Sequence, residues 1–382
     1  MTPGGRSYLV IVDVECRSKT FLEESLEEMR ELASSAATQV VGHVFAKIPS
    51  PSPSHFVREG KLAEIATKAK EARANILYFN VDLTPGQARN IEREIKLRAV
   101  DRTGLILEIF GRRAKSSEGK LQVELARLNY ILPRLGGLGV VLSRLGGGIG
   151  TRGPGETELE SDRRKIRKRI QRVKEELEKV GRHRELLRSG RKKKHYLTAA
   201  IVGYTNSGKS TLLNALTGAG AYVADQLFAT LDPKTRMQNL SGRRDVLFID
   251  TVGFIRHLPH TLVEAFHATL EEVAQADVLL HVLDASHPHA SACREAVEGV
   301  LSEIHALGKP QILVLNKSDL LNEEASREVQ SRWPEGVLIS AKNGLGLEGL
   351  LARLEALVPE HPSGAAAGLP ESAGQAPEAF QG

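Results

Sequence analysis

The stretch Gly203-Tyr204-Thr205-Asn206-Ser207-Gly208-Lys209-Ser210 decides how the chain is read. It fits G-x-x-x-x-G-K-[ST], the phosphate-binding P-loop. Its glycines let the backbone curl until successive N–H groups point inward and cradle phosphate oxygens. Lys209 can reach the β- and γ-phosphates, and the Ser210 hydroxyl is a ligand for Mg²⁺. So short a pattern also arises by chance as a glycine turn without a ligand, and its context decides. Upstream, Tyr196-Leu197-Thr198-Ala199-Ala200-Ile201-Val202 reads as a buried strand. Downstream, Ser210-Thr211-Leu212-Leu213-Asn214-Ala215-Leu216 reads as the first turns of a helix, whose positive end faces the phosphates.

Three further motifs follow. Asp250-Thr251-Val252-Gly253 ends the apolar run Val246–Ile249. The Asp250 carboxylate suits Mg²⁺, through water, and the Gly253 N–H is placed to sense a γ-phosphate. Asn316-Lys317-Ser318-Asp319 follows the run Gln311–Leu315. A carboxylate at this place accepts two hydrogen bonds from the guanine N1–H and 2-amino group, which adenine does not offer. Asn316 can contact the base edge and the P-loop, and the Lys317 stem can cover the ring. Ser340-Ala341-Lys342, after the run Val337–Ile339, offers backbone N–H to the guanine oxygen. Between P-loop helix and Asp250 lies Asp225-Gln226-Leu227-Phe228-Ala229-Thr230-Leu231-Asp232-Pro233, in the place of a switch loop. Thr230 is its candidate Mg²⁺ ligand in the triphosphate state.

These motifs predict a GTP site made of Gly203 through Thr211, Phe228, Ala229, Thr230, Asp250, Gly253, Asn316, Lys317, Asp319, Ser340, Ala341 and Lys342. Lys209, Thr230, Gly253 and Asn206 are the candidate catalytic groups, and Ser210, Thr230 and Asp250 the candidate metal ligands. The domain resembles the small G proteins and their translation-factor relatives. In Ras-like proteins a glutamine that orients the attacking water follows the Asp-x-x-Gly motif. Here Phe254 stands there, so intrinsic hydrolysis is expected to be slow or to borrow its water placement from elsewhere. Asn206 makes K⁺ a second candidate cation, because an asparagine at this P-loop position helps some GTPases bind it. His257 and His260 read as surface residues of a loop rather than bases.

Ahead of this domain, residues 115–194 differ in character. Leu121, Leu125, Leu128, Leu132 and Leu135 repeat at helical spacing, as do Ile166, Ile170, Val173, Leu177 and Val180. Two such seams predict an antiparallel helical pair. Between them, Gly146-Gly147-Gly148-Ile149-Gly150-Thr151-Arg152-Gly153-Pro154-Gly155 cannot hold regular structure. It reads equally as a flexible linker or as a tip that approaches phosphates with Arg152. The second helix is basic in its first half, with Arg163, Arg164, Lys165, Arg167, Lys168, Arg169 and Arg172. Like charges at helical spacing cost stability unless a polyanion neutralises them. Arg152, Arg163, Arg164, Lys165, Arg167 and Lys168 are therefore candidate RNA contacts, against the blander reading of a solvated, salt-bridged face.

Residues 6–111 alternate strand and helix patterns: Tyr8–Val12, Gln39–Phe45 and Ile76–Phe79 as strands, with a capped helix opening at Thr84-Pro85. This rhythm predicts a small α/β domain with a largely parallel sheet. It holds no evident catalytic constellation. The expected organisation is an N-terminal α/β domain over 1–112, a basic helical hairpin over 113–194, a P-loop G domain with a mostly parallel sheet over 195–358, and a disordered tail over 359–382. The 382 residues suit two or three domains, and a net charge of +5 favours an anionic partner. Cys16 and Cys293 lie in different expected domains, which argues against a disulfide framework or a zinc site and fits a reducing cytosol. No secretory h-region or bilayer-spanning run is evident, so a cytoplasmic monomer is expected, with peripheral membrane contact left open and unsupported by a motif.

The chain is similar to the HflX family of ribosome-associated GTPases. The resemblance rests on Gly146 through Arg164, ending in Glu156-Thr157-Glu158-Leu159-Glu160-Ser161-Asp162-Arg163-Arg164. It rests also on Leu125-Ala126-Arg127-Leu128-Asn129-Tyr130-Ile131-Leu132-Pro133-Arg134-Leu135, on the P-loop, and on Phe228–Pro233. It implies binding to the large ribosomal subunit and its RNA, reach towards the peptidyl transferase centre, and splitting of stalled ribosomes after stress. It also implies ATP binding by the N-terminal region and, for some members, RNA remodelling. Residues 1–111 show no phosphate motif, so neither is assigned to a residue. A regulatory G protein acting through a protein partner, without RNA contact, is the competing reading.

Overall fold

The computed structural model describes residues 5–14, 19–137, 158–193, 196–218, 227–228, 231–232, 234–240, 244–256 and 267–357. The N-terminal part runs β1 (Arg6–Asp13), α1 (Lys19–Ser35), β2 (Gln39–Lys47), α2 (Glu59–Glu71), β3 (Ile76–Phe79), α3 (Pro85–Ile95), β4 (Arg98–Val100) and α4 (Arg102–Arg113). Its sheet has the order β2-β1-β3-β4, with every pairing parallel. Helices cover both faces of such a sheet, which is why β1 is an almost continuous buried run. The start of α3 is fixed locally. Gln87 N–H donates to Thr84 Oγ1 at 3.2 Å and Thr84 N–H donates to Gln87 Oε1 at 2.9 Å, behind Pro85 at the first helical position. The strand β4 has three residues, too few to show a periodicity in the sequence.

Next come α5 (Ser117–Ile131), a 3₁₀ turn over Leu132–Gly137, and α6 (Glu158–Lys193) of 36 residues. The two helices pack together, as the paired seams predict. The buried face of α5 is different from the leucine seam, however. Val123 and Ala126 go into the core beside α4, while Leu121, Leu125 and Leu128 are half-buried. This helix serves two neighbours, and a seam of one period describes only one of them. Across the pair, Arg169 donates to both oxygens of Glu124 at 2.6 and 2.8 Å, so it is not part of a free basic face. The glycine-rich run lies outside the described residues.

The G domain contains β5 (Leu197–Gly203), α7 (Lys209–Thr217), β6 (Lys234–Leu240), β7 (Arg244–Asp250), α8 (His267–Gln275), β8 (Val278–Asp284), α9 (Ala290–Glu303), β9 (Gln311–Asn316), α10 (Glu323–Arg332), β10 (Val337–Leu338) and α11 (Leu347–Leu357). Its sheet has the order β10-β9-β8-β5-β7-β6, parallel except for β6 against β7. The edge strand β6 was not legible in the sequence. Four of its residues are exposed on an outer edge, so no hydrophobic alternation marks it. No helix among the described residues is long and apolar enough to cross a membrane.

One apolar cluster joins the parts. It holds Leu105, Phe110 and Val123 together with Leu227, Phe228 and Phe254. The rings of Phe110 and Phe228 meet edge to face, with centroids 4.7 Å apart. Such a pair contributes about 0.5–1.5 kcal/mol beyond its buried area. The chain's single tryptophan, Trp333, is buried in the G domain and reports on it alone. Phe110→Ala should cost about 3–5 kcal/mol and shift the urea midpoint read by Trp333 fluorescence. An unmoved midpoint would mean that the two sheets unfold independently.

Candidate functional site

The P-loop leaves β5 at Gly203 and enters α7 at Lys209. Two turns of backbone in the left-handed region shape it, Asn206 at φ 61° and Gly208 at φ 93°. Gly208 is required twice over, since a Cβ there would stand 2.2 Å from Asn316 Nδ2. That close approach goes with two hydrogen bonds. Asn316 Nδ2 donates to the Ser207 carbonyl at 2.9 Å, and the Ala341 N–H donates to Asn316 Oδ1 at 3.0 Å. The buried Asn316 therefore fixes the P-loop and the Ser340-Ala341-Lys342 loop relative to each other.

Lys209 is buried and folds back over the loop. Its Nζ donates to the carbonyls of Gly203 at 3.1 Å and Tyr204 at 2.7 Å. Burial pulls its pKa down to about 8, with Asp250 opposing the shift and Lys317 adding to it. Ser210 Oγ donates to Asp250 Oδ2 at 2.6 Å. A hydroxyl and a carboxylate in contact form a hard oxygen donor pair of the kind that Mg²⁺ takes, so these residues fit that ion. Thr211 follows in the first turn of α7, half-buried.

Gly253 packs so tightly on the P-loop that a Cβ would lie 2.7 Å from Thr205 Cα and 3.0 Å from Lys209 Nζ. The next residue closes the contact. Phe254 N–H donates to the Gly203 carbonyl at 3.1 Å, and Thr205 N–H donates to the Phe254 carbonyl at 2.7 Å. The Phe254 ring is fully buried in the joining core. It fills a packing position and presents nothing to a water.

At the other end, Ser340 Oγ donates to Asp319 Oδ1 at 2.6 Å and accepts from Asn343 N–H at 3.2 Å. Lys317, at φ 65°, is held by Asp284 at 2.7 Å. Asp284 in turn accepts from the Ser286 hydroxyl at 2.6 Å. This anchor of Lys317 was missed in the sequence, although its position at the end of an apolar strand could have marked it. Lys342 is exposed beside them.

The predicted switch loop is pinned on both sides of Thr230. Before it, Phe228 N–H donates to Thr205 Oγ1 at 3.0 Å. After it, the Asp232 carboxylate accepts from Lys115 N–H at 3.0 Å, Ser116 N–H at 2.9 Å and Ser116 Oγ at 2.5 Å. Ser116 is the N-cap of α5, so a G-domain residue completes that helix start. Ala229 and Thr230 themselves lie outside the described residues, as do Arg152, His257 and His260.

A second set of contacts reaches the loop after Gly253. Arg102 donates to both oxygens of Glu28, at 3.2 and 2.5 Å, and to the Arg256 carbonyl at 2.8 Å. Arg256 pairs with Glu24 at 2.9 Å, and its N–H donates to the Tyr204 hydroxyl at 3.2 Å. That hydroxyl donates to Glu28 at 3.4 Å. The Tyr204 side chain thus belongs to the domain interface, whereas its carbonyl serves Lys209. A cleft of about 300 Å³ runs beside it between α1 and the P-loop, lined by Asn206 and by Glu23, Glu24 and Glu27. On α6, Arg164, Lys165, Arg167 and Lys168 are exposed and Arg163 is half-buried. Lys165 pairs with Asp162 at 3.0 Å.

A phosphate loop, a hydroxyl–carboxylate pair at its foot and a carboxylate at the base end, on a six-stranded sheet, define a P-loop GTPase, an enzyme that hydrolyses GTP. Families described as "GTP-binding GTPase N-terminal", "GTP-binding GTPase Middle Region" and "50S ribosome-binding GTPase" match residues 23–111, 113–191 and 198–317. The chain is 53% identical over 333 residues to GTPase HflX of Caldanaerobacter subterraneus subsp. tengcongensis, covering 87% of this chain and 77% of that one. It is 46% identical over 344 residues to GTPase HflX of Escherichia coli, covering 88% and 81%. A crystal structure described as "SsGBP and GDP complex" aligns at TM-score 0.50 and 29% identity, over 92% of this chain and 98% of that chain. The chain belongs to the HflX family.

If Lys209 meets the phosphates, its burial gives nucleotide binding a pH dependence. With its pKa at about 8 in the free chain, Lys209 loses its proton as pH rises through that value. Phosphate favours the charged form, so binding must take the proton back. GDP affinity should fall about tenfold between pH 7 and pH 9, read by titration with a fluorescent GDP analogue. Lys209→Met should bind weakly with a flat profile, and a wild-type profile just as flat would refute the assignment.

Proposed function

We propose that the chain docks on the large ribosomal subunit and uses its GTP/GDP cycle to split stalled ribosomes. The observation that carries this reading is the attachment of both switch segments to the other parts of the chain. Asp232, two residues after Thr230, holds the start of α5, and Arg102 holds the backbone of Arg256, three residues after Gly253. A γ-phosphate that draws in Thr230 and the Gly253 N–H pulls on both ties, so nucleotide state sets the posture of the hairpin. Only a difference in ribosome affinity between the two states can drive such a cycle. The family name that matches residues 198–317 supports the large subunit as partner. The exposed Arg164, Arg167 and Lys168 on α6, with Arg152 of the glycine-rich run, are the proposed RNA contacts.

In the site, the P-loop N–H groups from Gly203 to Ser210 and the Lys209 ammonium hold the phosphates and offset the negative charge of the transition state. Asp319 selects guanine, Asn316 and Lys317 flank the base, and the backbone of Ser340, Ala341 and Lys342 meets its oxygen. Ser210, Asp250 and Thr230 would hold Mg²⁺, which would supply positive charge to offset that of the phosphates. Gly253 N–H orients the γ-phosphate. No side chain at Phe254 positions water, so the ribosome is the proposed source of stimulation. Asn206, beside the acidic wall of α1, is the proposed ligand for K⁺. The working form is a cytoplasmic monomer that acts under stress.

Asp319→Asn should lower the preference for GTP over xanthosine triphosphate by at least about 100-fold, measured by competition binding. An unchanged preference would remove Asp319 from the base pocket. Reversing Arg164, Arg167 and Lys168 to Glu should cut sedimentation with 50S subunits and lower the salt slope by about 3, with GTP affinity unchanged. Salt-insensitive binding to a protein partner and no sedimentation would favour the competing reading. Hydrolysis should be faster in KCl than in NaCl, and equal rates would dismiss the K⁺ role of Asn206.

A further inference from the structure

The N-terminal sheet reverses its winding at β1, with β2 on one side and β3 and β4 on the other. In open parallel sheets, ligands bind beyond the carboxyl ends of the strands at such a reversal. Here that crevice is a cleft of about 780 Å³. Asp13, the last residue of β1, lines one wall. Arg256 and residues of α9, among them Glu295, line the other, so the cleft lies between the two α/β domains.

Asp13 is 1% exposed, and neither of its carboxylate oxygens meets a hydrogen-bond donor among the described residues. A carboxylate withdrawn from water without a donor is destabilising. Lys47, opposite Asp13 in the β1–β2 register, is exposed and makes no hydrogen bond to it, and the polar residues that line the cleft are engaged elsewhere. Arg102 is committed to Glu28 and to the Arg256 carbonyl. Arg256 and His289 both hold Glu24, at 2.9 Å each. Asn80 is spent on Val12, accepting from its N–H at 2.7 Å and donating to its carbonyl at 3.1 Å. Among the described residues, the carboxylates of the cleft left without a hydrogen-bond partner are therefore Asp13 in its depth and the exposed Glu295 on the opposite wall.

The remaining walls are largely apolar, with Val12, Val14, Phe21, Val81 and Ala296. A carboxylate in the depth of the cleft, a second on its rim and apolar side chains in the same lining match a cation that carries ammonium groups on an aliphatic stem. A metal ion fits less well, because no three ligating side chains gather among the described residues. We infer that this cleft binds an aliphatic diamine or polyamine, with one ammonium on Asp13, a second towards Glu295, and the stem along the apolar wall. Such a ligand touches both domains and holds them in the arrangement that pins the switches.

The test uses the full chain loaded with GDP, at fixed ionic strength, in equilibrium dialysis with labelled putrescine and spermidine. Saturable binding of one amine per chain is expected, weakened at least about tenfold in Asp13→Asn and about threefold in Glu295→Gln, with GDP affinity unchanged in both. Without amine, Asp13→Asn should unfold at a higher temperature than the wild type, because it removes an unpaired buried carboxylate. Amine should raise the Tm of the wild type and leave that of Asp13→Asn unmoved. Non-saturable binding, equal binding by Asp13→Asn, or a lower Tm for that variant without amine would each overturn the inference. So would ATP binding lost in Asp13→Asn without any amine binding, which would assign the carboxylate to a ribose hydroxyl.

Discussion

The structure turns on the Asp232 carboxylate. It accepts from the N–H groups of Lys115 and Ser116, just ahead of α5, and from the hydroxyl of Ser116, which in turn caps that helix by accepting from the Gly119 N–H. The approach is so close that Gly119, in the first turn of that helix, has no room for a Cβ, which would lie 2.2 Å from Asp232 Oδ1. A helix of the hairpin is thus completed by a loop of the G domain. Whatever moves that loop must let go of the residue that caps α5 or carry the helix along.

The rest of the interface makes the second outcome the cheaper one. Phe228 and Phe254 are buried in the same core as Phe110 and Val123, and separating them would expose large apolar surfaces to water. Arg102 and Glu28 are nearly buried as a pair, with the Arg256 carbonyl as a third partner. Breaking one member of such a set leaves a charge uncompensated. Packing this tight resists gradual deformation. The same packing explains why Phe254 stands where other GTPases hold a water-orienting glutamine: the position is part of the core.

What could be read in the sequence was local. The P-loop, Asp250-x-x-Gly253, Asn316 to Asp319 and Ser340 to Lys342 each constrain a few successive residues, and their order along an α/β alternation fixed both fold class and base. The capped start of α3 was legible for the same reason. Two strands escaped: β4 is too short for a pattern, and β6 is too polar for one. The seam of α5 was assigned one partner where the helix has two. The ties that give the site its meaning pair residues far apart in the chain: Arg102 with Arg256, Tyr204 with Glu28, Asp232 with Ser116. Nothing in the spacing of any one of them announces its partner. Asp13 ends β1 with no motif around it, and only its burial distinguishes it.

The coupling between switch and hairpin is tested most directly by the affinity for 50S subunits in the GTP-analogue and GDP states, compared between wild type and Asp232→Ala. The wild type should bind the subunit more tightly with the analogue than with GDP. In Asp232→Ala the two affinities should converge while nucleotide binding stays intact. A preference that survives unchanged in the variant would contradict the account, and would place the route from nucleotide to ribosome elsewhere in the chain.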